Sequence, residues 1–393
     1  MNKNTNKKEL INDVINDVVE WRRHLHQYPE LSFEEVNTSQ FVFDKLQSFG
    51  GMEIERPTRT SVVARLKGKH PGKVLALRAD MDALPIQEET ETSFPSTKPG
   101  VMHACGHDGH TAMLLGAAKI LSSKKDELSG EIIFIFQHAE ELRPGGAKEL
   151  TEKGVVDDAD HIVGLHLMST LQQGKFGITS GPVTSNTDEF DLKLIGKGGH
   201  SSQPEHSIDP IAISAQIITN LQHIVSRNVA PADKLVISTT MIHGGTASNV
   251  IPDSVKLTGS VRSFSPEVRN KAVHLIEQII DGVARAHGAR YEYDYHYGYS
   301  SVVNDEQIIG WVEETISREF GDDYIEYSEP FMGGEDFSAY LDKAPGAFVI
   351  VGARNEAQGF DYPHHHPKFG IDERSLEDGL RLLVHLSDTI LKK

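Results

Sequence analysis

The sequence predicts an α/β fold of two domains, and three observations lead there. Four short, almost wholly apolar segments alternate with helical patterns, as parallel strands covered on both faces do. They are "KVLALRAD" (73–80), "EIIFIFQHAEE" (131–141), "HIVGLHL" (161–167) and "GAFVIVGA" (346–353). A separate stretch, 184–297, reads β-α-β-β-α-β, the order of a ferredoxin-like domain. The chain has 393 residues, more than one core usually holds. Because the ferredoxin-like stretch interrupts the strand series, 1–183 and 298–393 are expected to form one domain around a mostly parallel sheet. Residues 184–297 would be inserted into it as a lid or dimerisation domain.

The elements follow in order. Ile11, Val14, Val18, Trp21 and Leu25 recur at helical spacing, and Pro29 stops the pattern. "HTAMLLGAAKIL" (110–121) is a helical pattern between the first two strands. In the insertion, "DEFDLKLIG" alternates polar and apolar as a half-exposed strand does. The helix "PIAISAQIITNLQHIVSR" follows, then the strands "KLVISTTMI" and "SVKLTGSVRSF". A long helix, "PEVRNKAVHLIEQIIDGVARAHG", and the strand "RYEYDYHYG" complete it.

Composition narrows the partners. Lys plus Arg is 39 and Asp plus Glu is 57, a net charge of −18, which argues against nucleic acid or an anionic membrane as partner. The opening "MNKNTNKKEL" has lysines but no apolar stretch after them, so no signal peptide is expected. No run of 18 apolar residues occurs, so no helix is expected to span a bilayer. A single cysteine forms no internal disulfide, and the expected location is the reducing cytoplasm.

The one cysteine, Cys105, stands in "MHACGHDGH" (102–110) beside His103, His107 and His110. Cys105 and His107 lie in a loop entering a helix, where thiolate and imidazole can approach one cation, or Cys105 can bridge two. "QHAEEL" puts Glu140 and Glu141 just past the end of an apolar strand, and "GLHLM" puts His166 inside another. "YPHHHPKFGIDE" offers His364, His365 and His366. Taken singly, these read as a structural cysteine, a solvated acidic loop, a satisfied core histidine and an exposed loop. Together they gather at the carboxyl ends of one sheet, where α/β proteins bind ligands. Cys105, His107, Glu141, His166 and one of the three late histidines then make a set of five S, N and O donors. Five are too many for one catalytic zinc, which keeps about three protein ligands. They suit two cations roughly 3.5–4 Å apart, leaving Glu140 as general base for a bridging water. Thiolate and imidazole favour zinc, and carboxylate also accommodates manganese.

The chain resembles, over nearly its whole length, the bacterial and plant amidohydrolases that include hippurate hydrolase, N-acyl-amino-acid hydrolases and auxin-conjugate hydrolases. These are a branch of the co-catalytic metallopeptidases related to aminoacylase and carboxypeptidase G. The resemblance rests on ordered motifs: "RRHLHQYPELSFEE", "LRADMDALP", "MHACGHDGHTAMLLG", "AEE", "GLH", "GKGGHSSQP", "SNVIP", "GSVRSF", "GGEDFS" and "HHHPKFGIDE". It implies two divalent ions per chain, zinc or manganese with cobalt or nickel as substitutes in vitro, at Cys105, His107, Glu141, His166 and His365. His365 is preferred because only "HHPKF" fits the family's spacing of His, Pro and aromatic. Glu140 falls on the catalytic glutamate. Asp80 and Asp82 are expected to support the ligands, His138 is not read as one, and Glu335 would support the site or cap a helix.

The resemblance further implies cleavage of the amide of an N-acylated amino acid or a small peptide-like conjugate. His200 would stabilise the oxyanion, and Asn249 and Arg262 would hold the carboxylate of the leaving amino acid. It also implies a homodimer in which His200 reaches the partner's metals. Two other readings stand beside this one. A dipeptidase or aminopeptidase on the same fold would need a site for a free α-amino group. A non-catalytic metal-binding protein would keep the ligands alone, and the intact Glu140 argues against it.

Overall fold

The structure, a computed structural model, describes residues 3–393; the first two residues of the opening stretch lie outside it. The chain divides into two compact units. One comprises 3–183, 302–329 and 336–393 among the described residues, and the other 184–301 and 330–335.

The first unit is built on an eight-stranded sheet. In spatial order its strands are Glu53–Glu55, Val62–Lys67, Ser129–Gln137, His70–Asp80, His161–Gln172, Gly346–Arg354, Phe176–Ile178 and Ile325–Tyr327. The third to sixth are the four apolar segments of the sequence, and they pair parallel. The two strands on one flank pair antiparallel, and neither stands out as an apolar run. Successive side chains of a strand face opposite ways, so both faces are lined. Ile132, Phe134 and Phe136 join one buried cluster while Ile133 and Ile135 join the other.

The larger cluster lies under the helices Lys3–Gln27, Val36–Phe49, His107–Ser123, Glu306–Glu319 and Arg374–Ile390. In the opening helix Ile11, Val14, Val18, Trp21 and Leu25 are all buried, each worth about 1.5–3 kcal/mol in transfer from water. The helix His107–Ser123 packs between the first and last helices and is buried along almost its whole length. Gly116 makes that closeness possible: a Cβ there would lie 2.6 Å from Val18 and 3.0 Å from Leu380. The second cluster is covered by the short helices Gly146–Glu152 and Ser338–Leu341.

The second unit is a four-stranded antiparallel sheet in the order Leu235–Gly244, Ser254–Ser263, Asn186–Ile195, Arg290–His296. Its helices, Pro210–His223 and Pro266–Ala286, share the unit's core with the sheet. Each begins with a side-chain cap followed by proline, a strong start signal. Asp209 accepts from Ile211 N at 2.9 Å, and Ser265 from Val268 N at 3.2 Å. Residues 330–335 belong here because Phe331 bridges Thr184 and Ser185 N donates to Gly333 O at 2.9 Å. Among the described residues no helix is long and apolar enough to cross a membrane.

Candidate metal centre

The strand Ser129–Gln137 stops at Gln137, earlier than its apolar run suggests, because Ala139 turns the chain with a positive φ of 48°. Such a backbone is costly for any residue bearing a Cβ. The turn brings Glu140 and Glu141 back over the sheet end. There Asp82 accepts a backbone hydrogen bond from each, Oδ1 from Glu140 N and Oδ2 from Glu141 N, both at 3.0 Å. Gly106, at a φ of 90°, makes the corresponding turn between Cys105 and His107 and starts the buried helix.

The proposed donors meet around Cys105. Cys105 Sγ is 3.7 Å from His166 Nε2. The donor atoms of Cys105, His107 and His166 lie within 4.8 Å of one another, as do those of Cys105, Glu141 and His365. His107, Glu140 and Glu141 form a further such group. His365 Nε2 is 3.2 Å from Glu141 Oε1, and its backbone N–H, at a φ of 64°, donates to Ala104 O at 2.9 Å. Its neighbours are occupied elsewhere: His364 Nε2 accepts from Ser169 N at 3.3 Å, and His366 Nδ1 from Lys368 N at 3.0 Å.

Each inner histidine has its far nitrogen fixed. His107 Nδ1 lies 2.9 Å from Asp82 O, and His166 Nδ1 lies 2.9 Å from Leu167 O. Both rings therefore donate from Nδ1 and present Nε2 to the centre, the arrangement ligating histidines usually have. His107 Nε2 is buried without a hydrogen-bond partner.

The charges around the donors are weighted toward negative. Burial disfavours charge on His107, but Asp80 and the bond to Asp82 outweigh it and raise its pKa to about 10. Burial, followed by Glu141 and Glu140, pushes the Cys105 thiol well up. Burial would also raise Asp80 and Asp82, yet His107 and neighbouring donors hold both below the usual carboxylate range. Carboxylates crowd a thiol and histidines whose Nε2 atoms point inward. This mixed set of thiolate, imidazole and carboxylate donors fits divalent cations.

Support comes from a buried network that sequence reading missed. Arg78 Nη1 donates to Asp80 at 2.6 Å and Nη2 to Asp336 at 2.8 Å. Its Nε donates to Gln137 at 2.8 Å. His110 accepts from Leu167 N at Nε2, 2.8 Å, so its Nδ1–H is the donor to Asp80 at 2.6 Å. An arginine inside the apolar run "KVLALRAD" was the available signal. His103 is buried with neither ring nitrogen hydrogen-bonded, and burial lowers its pKa to about 4. Glu335 does not cap the helix Ser338–Leu341, whose N-cap is Phe337.

His200, Asn249 and Arg262 all lie in the second unit. His200 Nδ1 accepts from Ser202 N at 3.1 Å, so its neutral ring carries the proton on Nε2. Asn249 adjoins it, since Asn249 O accepts from Ser201 N at 3.1 Å. Arg262 stands on the strand Ser254–Ser263, opposite Thr187 and Val236.

Residues 76–389 match the model of peptidase family M20/M25/M40. An N-acyl-L-amino acid amidohydrolase of Geobacillus stearothermophilus is 56% identical over 297 residues, covering 76% of this chain and 80% of its own. Thermostable carboxypeptidase 1 of Saccharolobus solfataricus is 42% identical over 379 residues, 95% of each chain. The crystal structure of the YXEP protein of Bacillus subtilis, described as a dinuclear metal-binding peptidase of the M20 family, superposes with a TM-score of 0.85 at 35% identity. That likeness covers 97% of this chain and 99% of the other. The chain therefore belongs to peptidase family M20/M25/M40, in its amidohydrolase branch, and is a hydrolase.

Proposed function

We propose that the protein cleaves the amide bond of N-acyl amino acids at a two-cation centre. The observation carrying this reading is the pair of donor triads that share Cys105, with Glu140 beside them. Cys105, His107 and His166 would hold one ion, and Cys105, Glu141 and His365 the other. When bound, the ions polarise the scissile carbonyl and lower the pKa of the attacking water. Glu140 takes the proton of that water on its carboxylate and delivers it to the leaving amine nitrogen. Asp82 keeps Glu140 and Glu141 aimed through their backbone N–H groups. His200 donates from Nε2 to the developing oxyanion, and Asn249 and Arg262 bind the carboxylate of the departing amino acid. His200 acts across a homodimer, completing the partner's centre, and the enzyme works in the cytoplasm.

The name of the Geobacillus relative supports an N-acyl substrate, while that of the Saccharolobus relative keeps peptides in view. Steady-state hydrolysis of N-acetyl amino acids and of free dipeptides, with zinc, manganese or cobalt, decides between them. A kcat/KM at least about tenfold higher for the acetylated substrates is expected. Preference for free dipeptides would overturn the reading in favour of a dipeptidase.

A further inference from the structure

Among the described residues only Phe33, Ala139 and His365 have left-handed backbones without being glycine, with φ of 67°, 48° and 64°. Residues held this way persist only where their surroundings fix them, and they gather at functional sites. Two of the three are held by the same oxygen. Glu35 Oε1 accepts from Phe33 N at 3.0 Å and from Ala139 N at 2.8 Å, across 104 residues of sequence. Glu35 is the N-cap residue of the helix Val36–Phe49, yet its side chain makes no cap bond to that helix. It is fully buried, and its carboxyl is directed at the turn after the strand Ser129–Gln137.

That turn is pinned at every step. Ala139 N goes to Glu35, Glu140 N and Glu141 N go to Asp82, and Ala139 O accepts from Gly146 N at 2.9 Å. Two buried carboxyls thus take three consecutive N–H groups. Releasing the first would let Ala139 relax toward negative φ and re-aim Glu140, the next residue, while Asp82 still holds Glu141, since among the described residues no other accepts from the Ala139 N–H.

We propose that Glu35 is a positioning residue of the active site, whose carboxyl clamps the left-handed turn at Ala139 and thereby aims Glu140. This rests on the assignment of Glu140 as base given above. The requirement is for an acceptor oxygen at that place and not for its charge, because a neutral carbonyl oxygen also accepts two N–H bonds.

The metal-loaded enzyme tests it with Glu35→Ala, Glu35→Asp and Glu35→Gln, assayed on an N-acetyl amino acid. Glutamine keeps the acceptor in reach, and aspartate withdraws it by one methylene. Alanine and aspartate should each lower kcat on the order of tenfold or more, the scale of a misplaced catalytic group. KM should stay within about twofold, with two ions still bound by elemental analysis. Glutamine should restore kcat. Hydrogen exchange of the peptide spanning 137–145 in the metal-free variants should be faster for alanine and aspartate and native-like for glutamine. If alanine does not fold, the aspartate and glutamine pair carries the comparison. Native kcat in the aspartate variant, loss of bound metal, or failure of glutamine to rescue overturns the clamp. Glu140→Gln is measured in parallel. If it is fully active, the base assignment fails; if it is inactive while the Glu35 variants are native, only the clamp fails.

Discussion

His107 Nδ1 sits 2.9 Å from the backbone carbonyl oxygen of Asp82, and its Nε2 is left facing the donor cluster. The Asp82 carboxyl lies 3.3 Å from the same Nδ1 and also accepts from Glu140 N, Glu141 N and Ser32 Oγ. One residue therefore orients a histidine through both its main chain and its carboxyl, and two glutamates through that same carboxyl.

Asp82→Ala should accordingly weaken metal binding by about 10- to 100-fold, the usual effect of losing support behind ligands. Competition with a chromogenic chelator measures it. Native affinity would show that Glu140 and Glu141 hold their places without Asp82.

Cys105→Ser should lose most bound metal while far-UV circular dichroism stays native, because a hydroxyl is a poor ligand for soft cations. Two ions per chain by elemental analysis would remove Cys105 from the bridging position.

Stability should carry a pH signature remote from the metals. Burial, with Lys7 adding to it, lowers the pKa of His385 to about 4 although Glu319 opposes this. Unfolded, the ring titrates near about 6.5. The unfolded chain thus takes up a proton that the folded chain refuses, so this stability is full above pH 6.5 and is lost as pH falls toward about 4. His385→Gln lacks the effect. The wild-type advantage in Tm should shrink across that window, and a constant difference between pH 7 and pH 4 would contradict it.

Mixing two inactive variants tests the dimer. Glu140→Ala and His200→Ala, unfolded and refolded together, should regain roughly a quarter of wild-type activity, since about half the dimers are mixed with one good site in two. No recovery, with mixed dimers present by mass analysis, would confine His200 to its own chain.

The sequence showed the four central strands because burial on both faces forces continuous apolar runs, and those are local. It also brings forward Cys105, His107, Glu141 and His166 as candidate donors, because they stand out in a loop entering an apolar helix, past a strand end and inside an apolar strand. His365 was separable from His364 and His366 only through the family's spacing. Arg78 stands out in its apolar run but its partners do not, and Glu35 was illegible altogether. Arg78 meets Asp336 across 258 residues, and Glu35 meets Ala139 across 104. Nothing local distinguishes a clamp from a common acid at a helix start, nor does any propensity announce a positive φ at alanine.

The order of the chain has a consequence for synthesis. The strand Gly346–Arg354 completes the parallel sheet and His365 follows it, so the last proposed ligand emerges from the ribosome after the whole of 184–301. That second unit, with its own buried core, can fold while the first still lacks a central strand. Full loading with metal is then an event of the finished polypeptide. A nonsense mutation between codons 336 and 365 should leave a well-folded insertion attached to a core without its complete donor set.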